Sequence, residues 1–199
     1  MKKLLLSLFL VISPLWLTGC FSPVKIPPQN TYVINQVPAV AYKERTRPVT
    51  LLVLPTETNP VYDTTNMAYT TKPYQVAYFA NNVWAETPGK MMTPLIVQAL
   101  QNTHHFHAVV TAPFAGRYHY VLTTQIQQLE QDFSFQPSVL RFRLYAQLIR
   151  SSDNRLIAAK QFSVVEMIPT NNPYGGVIAA NEAAGDILQQ LSIFCLRLR

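Results

Sequence analysis

Charged side chains are scarce in this sequence of 199 residues, where Asp, Glu, Lys and Arg together make up only 13%. Glycine and cysteine are rare too, at 6 and 2 residues, and only the N-terminus contains a long hydrophobic run. The low charge excludes a coiled coil and a disordered chain, and the low glycine content excludes a collagen-like fibre. A single, terminal hydrophobic run also argues against a protein that crosses a membrane several times.

Hydrophobic residues are abundant instead, at 49% of the sequence, together with 15 prolines and 10 tyrosines. This composition is typical of a domain rich in strands and loops, in which Gln, Asn, Thr, Ser and Tyr supply most of the polar surface. A chain of this length can bury one substantial core. We therefore expect a single globular domain.

The net charge is mildly positive, with 16 basic and 10 acidic residues. The basic residues form only small groups, such as Lys43, Arg45 and Arg47, and no run of five or six like charges. This balance fits contact with anionic lipid or an acidic partner, but it lacks the dense basic stripe of a nucleic-acid-binding surface. We therefore expect no nucleic-acid partner.

The N-terminus has the features of an export signal. Met1–Lys3 is a short positive segment, and Leu4–Leu17 is an apolar stretch too short to cross a bilayer. The sequence Leu17-Thr18-Gly19-Cys20 resembles the bacterial lipobox, which is cleaved before its cysteine. The resemblance implies that the signal peptidase recognises Leu17, Thr18 and Gly19, and that Cys20 carries the lipid chains of a stable anchor. An ordinary signal peptide and an uncleaved anchor helix are the alternatives.

Two further residues bear on location and redox state. Phe21 stands where enterobacterial lipoproteins retained in the inner membrane carry Asp, so we expect the periplasmic face of the outer membrane rather than the inner membrane. Acylation of Cys20 would leave Cys195 without an intrachain partner. Because Cys195 continues the apolar face of a predicted helix, we expect a buried, inert thiol, with an intermolecular disulfide as the alternative.

The sequence divides into three predicted parts. Residues 1–19 are the signal peptide, residues 20–48 are a lipid-anchored, proline-rich tether, and residues 49–199 are the folded domain. One short strand at 30–36 interrupts the tether. Within the domain the main elements are a strand, a helix, three strands and a helix. This order predicts an α+β fold, in which two principal helices pack on a mainly antiparallel or mixed sheet.

Hydrophobic periodicity supports these elements. Thr50–Leu54 is an unbroken apolar run, typical of a strand buried on both faces. Apolar residues recur with helical spacing over Met91–Leu100 and Ile187–Cys195. The first of these helices begins at either Pro88 or Pro94, since both prolines follow a threonine that could cap it.

Period-two alternation predicts most of the strands. They are expected at 67–70, 74–79, 118–127, 140–148 and 156–164. In the fourth of these, Phe142 faces the core while Arg141 and Arg143 face a wetter side. Residues 151–154 form a turn that makes the last two strands a hairpin, and Gly175-Gly176 is interpreted as part of a loop before the last helix.

Candidate catalytic and metal-binding side chains are few. His104, His105 and His107 cluster in a predicted loop, where no acidic residue or cysteine would complete a zinc site. Glu130 and Asp132 share a strand face, and we interpret them as a solvated strand end. The sequence contains no Gly-x-Ser-x-Gly, phosphate-loop or His-Glu-x-x-His motif. We therefore expect no enzyme activity, no cofactor and no metal.

The order of motifs along the domain is similar to that of the ABC-type transport auxiliary lipoprotein family. In that family a tyrosine-rich strand leads to a tryptophan, a proline, an amphipathic helix and a short Phe-x-x-Val strand. The matching residues here are Tyr74–Phe79, Val83-Trp84, Pro88, Leu95–Leu100, Phe106, Val109, Tyr118–Leu122, the hairpin to Phe162 and Ala179–Ala183. The sequence departs at Asn81-Asn82-Val83, where a more basic residue usually precedes the tryptophan, so a charge-based contact there stays open.

The resemblance implies a non-catalytic lipoprotein that docks the periplasmic, mammalian-cell-entry-type lipid-binding component of an ABC lipid transport system. Our candidate partner contacts are Tyr78, Trp84 and Phe133, with core packing as the alternative for each. The sequence leaves homo-oligomerisation open. A structural lipoprotein, such as an assembly chaperone or pilot for another outer-membrane machine, is the competing interpretation. A tethered hydrolase is a third, although no nucleophile–base pair supports it.

Overall fold

The computed structural model describes residues 27–38 and 46–196. These residues form one mixed sheet of nine strands and two helices, which confirms the predicted single α+β domain. The strands are β1 (Asn30–Tyr32), β2 (Arg47–Val53), β3 (Glu57–Thr58), β4 (Asn66–Thr70), β5 (Ala77–Trp84), β6 (Phe106–Thr111), β7 (Tyr120–Asp132), β8 (Val139–Arg150) and β9 (Arg155–Met167). The helices are α1 (Pro88–Asn102) and α2 (Pro173–Leu196).

The long strand β7 organises the sheet. Along one edge it pairs in parallel with three short strands in succession, which are β2 near its start, β3 near its middle and β4 at its end. Its other edge pairs with antiparallel β8. Strand β2 lies between β6 and β7, and its Leu51 and Val53 have no exposed surface, as the unbroken apolar run predicted. Strand β5 pairs with β4, and β1 adds in parallel to β5.

Strands β8 and β9 form the predicted antiparallel hairpin through the turn at 151–154. Phe142 of β8 is fully buried, whereas Arg141 and Arg143 point to the other side of the sheet and are only partly buried. We call the side that carries Phe142 the core face and the side that carries Arg141 and Arg143 the open face.

Both helices pack on the core face. The ring of Phe194 in α2 meets Phe162 of β9 edge-on, with 5.9 Å between the ring centroids. Ile96 of α1 is fully buried in the same core. Cys195 is fully buried as well, which confirms the predicted buried thiol. Burial raises the pKa of Cys195 to about 12, so the thiol stays protonated and unreactive at neutral pH.

Proline residues lie at or near the starts of two elements, α1 and β5. Helix α1 begins at Pro88, the first of the two predicted starts, so Pro94 lies inside the helix. The strand predicted at 74–79 is wrong at its start, because residues 71–76 form a turn and β5 begins only at Ala77. In that turn Tyr74 follows Pro73 and has a φ of 65°, which is incompatible with an extended strand.

The prediction of a loop at Gly175-Gly176 is wrong, because both residues lie in the first turn of α2. A Cβ atom on Gly175 would collide with the backbone carbonyl of Thr170, and one on Gly176 would collide with the side-chain amide of Gln131. Glycine is needed here because two segments approach closely, and not because the backbone adopts an unusual conformation.

The described part of the predicted tether is attached to the domain. Ile34, which follows β1, is 3% exposed and belongs to the hydrophobic core. The side chain of Asn181 in α2 accepts a hydrogen bond from the backbone N–H of Asn35 at 2.9 Å and donates one to the carbonyl of Val33 at 3.1 Å. The division into signal peptide, tether and domain otherwise stays a prediction.

Candidate functional site

A β-bulge in β7 places two carboxylates on the open face. Up to Ile126, the even-numbered residues of β7 face the core, but the register shifts between Ile126 and Gln128. Leu129 therefore takes the next position on the core face. Without the extra residue, Glu130 and Asp132 would point towards the helices. The bulge thus directs both carboxylates away from the hydrophobic core.

Both carboxylates are nonetheless buried, so the predicted solvated strand end is wrong. Glu130 is 7% exposed and Asp132 is 5% exposed. Tyr62, from the connection between β3 and β4, and residues of the turn at 71–76 line the same cavity and shield them from solvent. Buried carboxylates require hydrogen-bond partners, and both have them.

Glu130 accepts two side-chain hydrogen bonds. The Tyr62 hydroxyl donates to Oε2 at 3.0 Å, and the Gln128 amide donates to Oε1 at 2.7 Å. Burial raises the pKa of Tyr62 well above its ordinary value, and the neighbouring carboxylate of Glu130 raises it further. The phenol therefore keeps its proton at neutral pH and acts as a donor rather than as a base.

Asp132 is held by Ser134 and Arg141. The backbone N–H of Ser134 donates to Oδ1 at 3.0 Å, and Arg141 Nε donates to Oδ2 at 2.9 Å. Burial alone would raise the pKa of Asp132, but the hydrogen bonds from Ser134 and Arg141 outweigh it and hold the pKa below its ordinary value. The guanidinium of Arg141 also lies 5.0 Å from the ring centroid of Phe135.

Replacing Asp132 with asparagine is expected to lower the free energy of unfolding at neutral pH by about 1–3 kcal/mol, because Arg141 would lose a charged acceptor. Because the pKa of Asp132 is lower in the folded state than in the unfolded state, its stabilisation is complete above about pH 4 and is lost as the pH falls through the folded-state pKa. Urea unfolding of both proteins at neutral and acidic pH measures the difference.

Asp153→Asn is the matched control. Asp153 also pairs with an arginine, Arg150 at 3.4 Å, but both side chains are more than a third exposed. Its replacement should change the free energy of unfolding by less than about 0.5 kcal/mol. A loss in Asp132→Asn that persists unchanged at acidic pH would contradict the electrostatic explanation.

The cavity beside these carboxylates has a volume of about 360 Å³. Its buried part presents Tyr62, Glu130 and Asp132, and its exposed rim presents Tyr74 and Phe135. The hydrogen-bonding groups at the base of the cavity are thus surrounded by the aromatic rings of its rim. Because Tyr62 and Asp132 both keep their ordinary protonation states at neutral pH, this arrangement suits binding rather than proton transfer.

The three candidate contact residues occupy different environments. Tyr78 is 42% exposed, and its hydroxyl donates to the carbonyl of Val61 at 2.7 Å. Trp84 is 4% exposed and belongs to the hydrophobic core. Phe133 is partly buried and meets Phe79 edge-on at 6.2 Å. Of the three, Tyr78 alone offers a well-exposed ring, and the partner contact itself stays a prediction.

Two residues that hold the buried carboxylates, Tyr62 and Arg141, were not predicted as site residues. Tyr62 lies 68 residues before Glu130, and nothing in its local sequence indicates that partner. Arg141 had a usable signal, because the alternation of β8 already placed it on the open face. Antiparallel pairing then sets Arg141 opposite Glu130 and diagonal to Asp132, within reach of a long side chain.

The histidine cluster is split between core and surface. His105 is 2% exposed, contrary to the predicted solvated loop, and its ring meets Phe106 edge-on at 5.1 Å. His104 and His107 are exposed. Across 27–38 and 46–196, no three His, Cys, Asp or Glu side chains come together in a way that could hold a metal ion.

The lipobox at Leu17, Thr18, Gly19 and Cys20 lies outside the described residues. Lipid attachment therefore stays a prediction. In the part of the chain that the structure describes, neither helix is long and apolar enough to span a bilayer.

The fold has solved counterparts. A protein from Xanthomonas campestris matches it with a TM-score of 0.74 and 20% sequence identity, over 84% of this chain and 93% of that chain. An uncharacterized protein matches with a TM-score of 0.69 and 12% identity, over 84% of this chain and 99% of that chain. At these identities the likeness shows the fold alone.

The sequence itself defines the family. The family model of the ABC-type transport auxiliary lipoprotein component matches residues 32–192, which is most of the described domain. The chain therefore belongs to this family of transport auxiliary lipoproteins, and the resemblance seen in its motif order is confirmed. A comparison with curated proteins gives no match.

Proposed function

We propose that this chain is a lipid-anchored accessory of an ABC lipid transport system, and that it docks the periplasmic, mammalian-cell-entry-type lipid-binding component at the inner face of the outer membrane. The observation that carries the proposal is the family match over residues 32–192, because it covers the folded domain and concerns an auxiliary of transport. The lipobox ending at Cys20 supports the anchor. Phe21, in place of Asp, supports the outer membrane.

The proposed role is binding and not catalysis. The two buried carboxylates of the cavity are already engaged, since Glu130 accepts hydrogen bonds from Tyr62 and Gln128, and Asp132 pairs with Arg141. A raised pKa at Tyr62 and a lowered pKa at Asp132 keep both groups in one protonation state across neutral pH. General acid–base catalysis needs groups that change state near the working pH, which these do not.

Tyr78 is the proposed contact with the lipid-binding partner. Its ring is 42% exposed, and the hydrogen bond from its hydroxyl to the carbonyl of Val61 fixes the orientation of the ring. Tyrosines held in this way are frequent anchors of protein interfaces, because a large contact area becomes buried with little further loss of conformational freedom. Trp84 and Phe133 support Tyr78 indirectly, because their side chains pack the strand and the adjoining loop against the core.

Co-purification tests this proposal. The tagged protein, extracted from membranes in mild detergent, is expected to recover a periplasmic lipid-binding protein together with a permease and an ATPase. Tyr78→Ala is expected to reduce that recovery by about tenfold, which corresponds to the loss of about 1.4 kcal/mol of binding free energy. Phe114→Ala is the matched control, because Phe114 is exposed to a similar extent, 40% against 42%.

The result has clear alternatives. Recovery of a secretin or a barrel assembly protein in place of the transport components would favour a structural lipoprotein of another outer-membrane machine and overturn the proposal. Equal losses in Tyr78→Ala and Phe114→Ala would keep the transport role but remove Tyr78 as its specific contact.

A further inference from the structure

Exposed apolar side chains are concentrated at one end of the sheet. β4, β7 and β9 end there, while β5, β8 and α2 begin there, so the loops 71–76, 133–138 and 168–172 lie side by side. We call this the aromatic end. Among the described residues, the five most exposed large apolar side chains all lie in or beside these loops; they are Tyr74 (109%), Met167 (68%), Tyr174 (57%), Val165 (52%) and Phe135 (51%).

The composition of these loops suits a lipid surface. The three loops contain no Asp or Glu and one exposed base, Lys72. Tyr and Phe side chains favour the boundary between lipid headgroups and acyl chains, where a tyrosine keeps its hydroxyl hydrated while its ring is buried. A lysine in such a surface extends its ammonium to lipid phosphates. An apolar cluster of this size on a single protein otherwise needs a covering partner.

The backbone conformation of Tyr74 also favours a contact role. Its φ of 65° lies in the left-handed region, which bulky residues rarely adopt, and its side chain is fully exposed. The ring of Tyr74 thus contributes nothing to the core, although the residue occupies a strained position in the turn. Such strain is typical of positions that serve contact rather than stability.

The direction of β1 shows from which end of the domain the chain arrives from the proposed anchor at Cys20. β1 runs parallel to β5, with Asn30 beside Asn82 and Tyr32 beside Trp84, and β5 runs away from the aromatic end. The chain therefore enters β1 from the side of the aromatic end. Contacts with α2 give the same direction, because the ring of Tyr32 lies 6.0 Å from that of Tyr174 at the start of the helix, whereas Asn35 hydrogen-bonds to Asn181 farther along it.

The length of chain between β1 and the lipobox is sufficient. Asn30 lies ten residue steps after Cys20, so the two residues can be at most about 36 Å apart when the chain is fully extended. Asn30 is level with Asn82, which is at most about 17 Å from the aromatic end, since it lies five residues along β5 from Ala77 and the strand is bulged over that stretch. A lipid on Cys20 can therefore lie at the level of the loops with chain to spare.

We propose that the aromatic end rests on the bilayer that holds the lipid anchor, with Tyr74, Phe135 and Tyr174 in the headgroup region and Lys72 at the lipid phosphates. The occupant of this surface is thus a phospholipid bilayer and not a protein. The inference rests on the proposed acylation of Cys20, which brings the surface to the membrane. It leaves the open face and the opposite end of the sheet directed into the periplasm, towards protein partners.

Fluorescence quenching by brominated lipids tests this orientation. The full chain, expressed with its lipobox and purified from cells in detergent, is placed in vesicles of phosphatidylethanolamine and phosphatidylglycerol with brominated acyl chains, and tryptophan is introduced as Tyr74→Trp or as Leu156→Trp. Leu156 is the matched control, because it is 50% exposed but lies beside the hairpin turn at the opposite end. Quenching of Tyr74→Trp is expected to exceed that of Leu156→Trp by about twofold or more. Interfacial side chains reach about 5–10 Å into the boundary between headgroups and acyl chains, which brings them close to the bromine atoms.

Each outcome is decisive. If the protein floats with the vesicles but Leu156→Trp is quenched as strongly as Tyr74→Trp, the anchor stands and the orientation is overturned. If it floats and neither variant is quenched, the aromatic end is covered by a protein or exposed to solvent, and the lipid contact is overturned. If it does not float, acylation of Cys20 fails, and the orientation fails with it. Both substitutions lie at exposed positions and leave the core intact.

Discussion

Cys20→Ser is expected to remove the protein from the outer-membrane fraction. Oxygen in place of sulfur cannot accept the lipid in a thioether, and cleavage before the cysteine would no longer expose an acylated terminus. A buried acyl chain contributes about 0.8 kcal/mol per methylene group, so the loss of several chains lowers membrane partitioning by orders of magnitude. Fractionation of membranes, followed by immunoblotting of the outer-membrane and soluble fractions, measures the change.

Cys195→Ser is the control, because it makes the same chemical change at the other cysteine. Cys195 is fully buried in α2, so its replacement should leave the protein in the outer-membrane fraction with a small loss of stability. Residual contact through the aromatic end would be weak and reversible, since interfacial side chains without acyl chains give marginal binding. Retention of most of the Cys20→Ser protein in the outer-membrane fraction would show that the lipobox interpretation is wrong.

Trp84→Ala is expected to lower the free energy of unfolding by about 3–5 kcal/mol, which is a large part of the stability of a domain this size. Trp84 is 4% exposed, and its backbone N–H donates to the carbonyl of Thr65 at 2.7 Å at the end of β5. Truncation leaves a cavity where β1 and β5 meet the core. Urea unfolding of the purified protein, without any partner present, measures the loss.

Trp84→Phe separates packing from recognition. Phenylalanine fills much of the same space and should retain most of the stability that alanine loses. A partner-contact residue would behave in the opposite way, because its truncation would lower co-purification and leave the unfolding of the isolated protein within about 0.5 kcal/mol of wild type. That outcome would restore Trp84 as a direct contact.

Local pattern was sufficient for much of the fold. Alternation along 140–148 and the polar turn at 151–154 predicted the β8–β9 hairpin, because the side-chain period of a strand is a local property. The helices were equally visible from their apolar spacing. The parallel pairing of β7 with β2, β3 and β4 was not, since it joins segments far apart in sequence and leaves no local trace.

The candidate site depended on features that no local pattern reveals. Glu130 and Asp132 were visible as a pair, but their burial comes from Tyr62 and the turn at 71–76, which reach them only in the folded chain. One inserted residue in β7 decided which face they occupy, and an alternating sequence does not mark where such a bulge falls. The aromatic end likewise became apparent only when strand directions brought its three loops together.

The order in which the chain is synthesised conflicts with the order in which its strands can pair. β2, β3 and β4 emerge first, yet the edge to which they hydrogen-bond belongs to β7, and the contact between Thr50 and His119 already spans 69 residues. β8 and β9 need only a four-residue turn to meet. The apolar strand β2 therefore stays without its β6 and β7 neighbours until the later part of the chain has been synthesised. The part of the sheet on the β2, β3 and β4 side of β7 is completed only when the β7 edge becomes available.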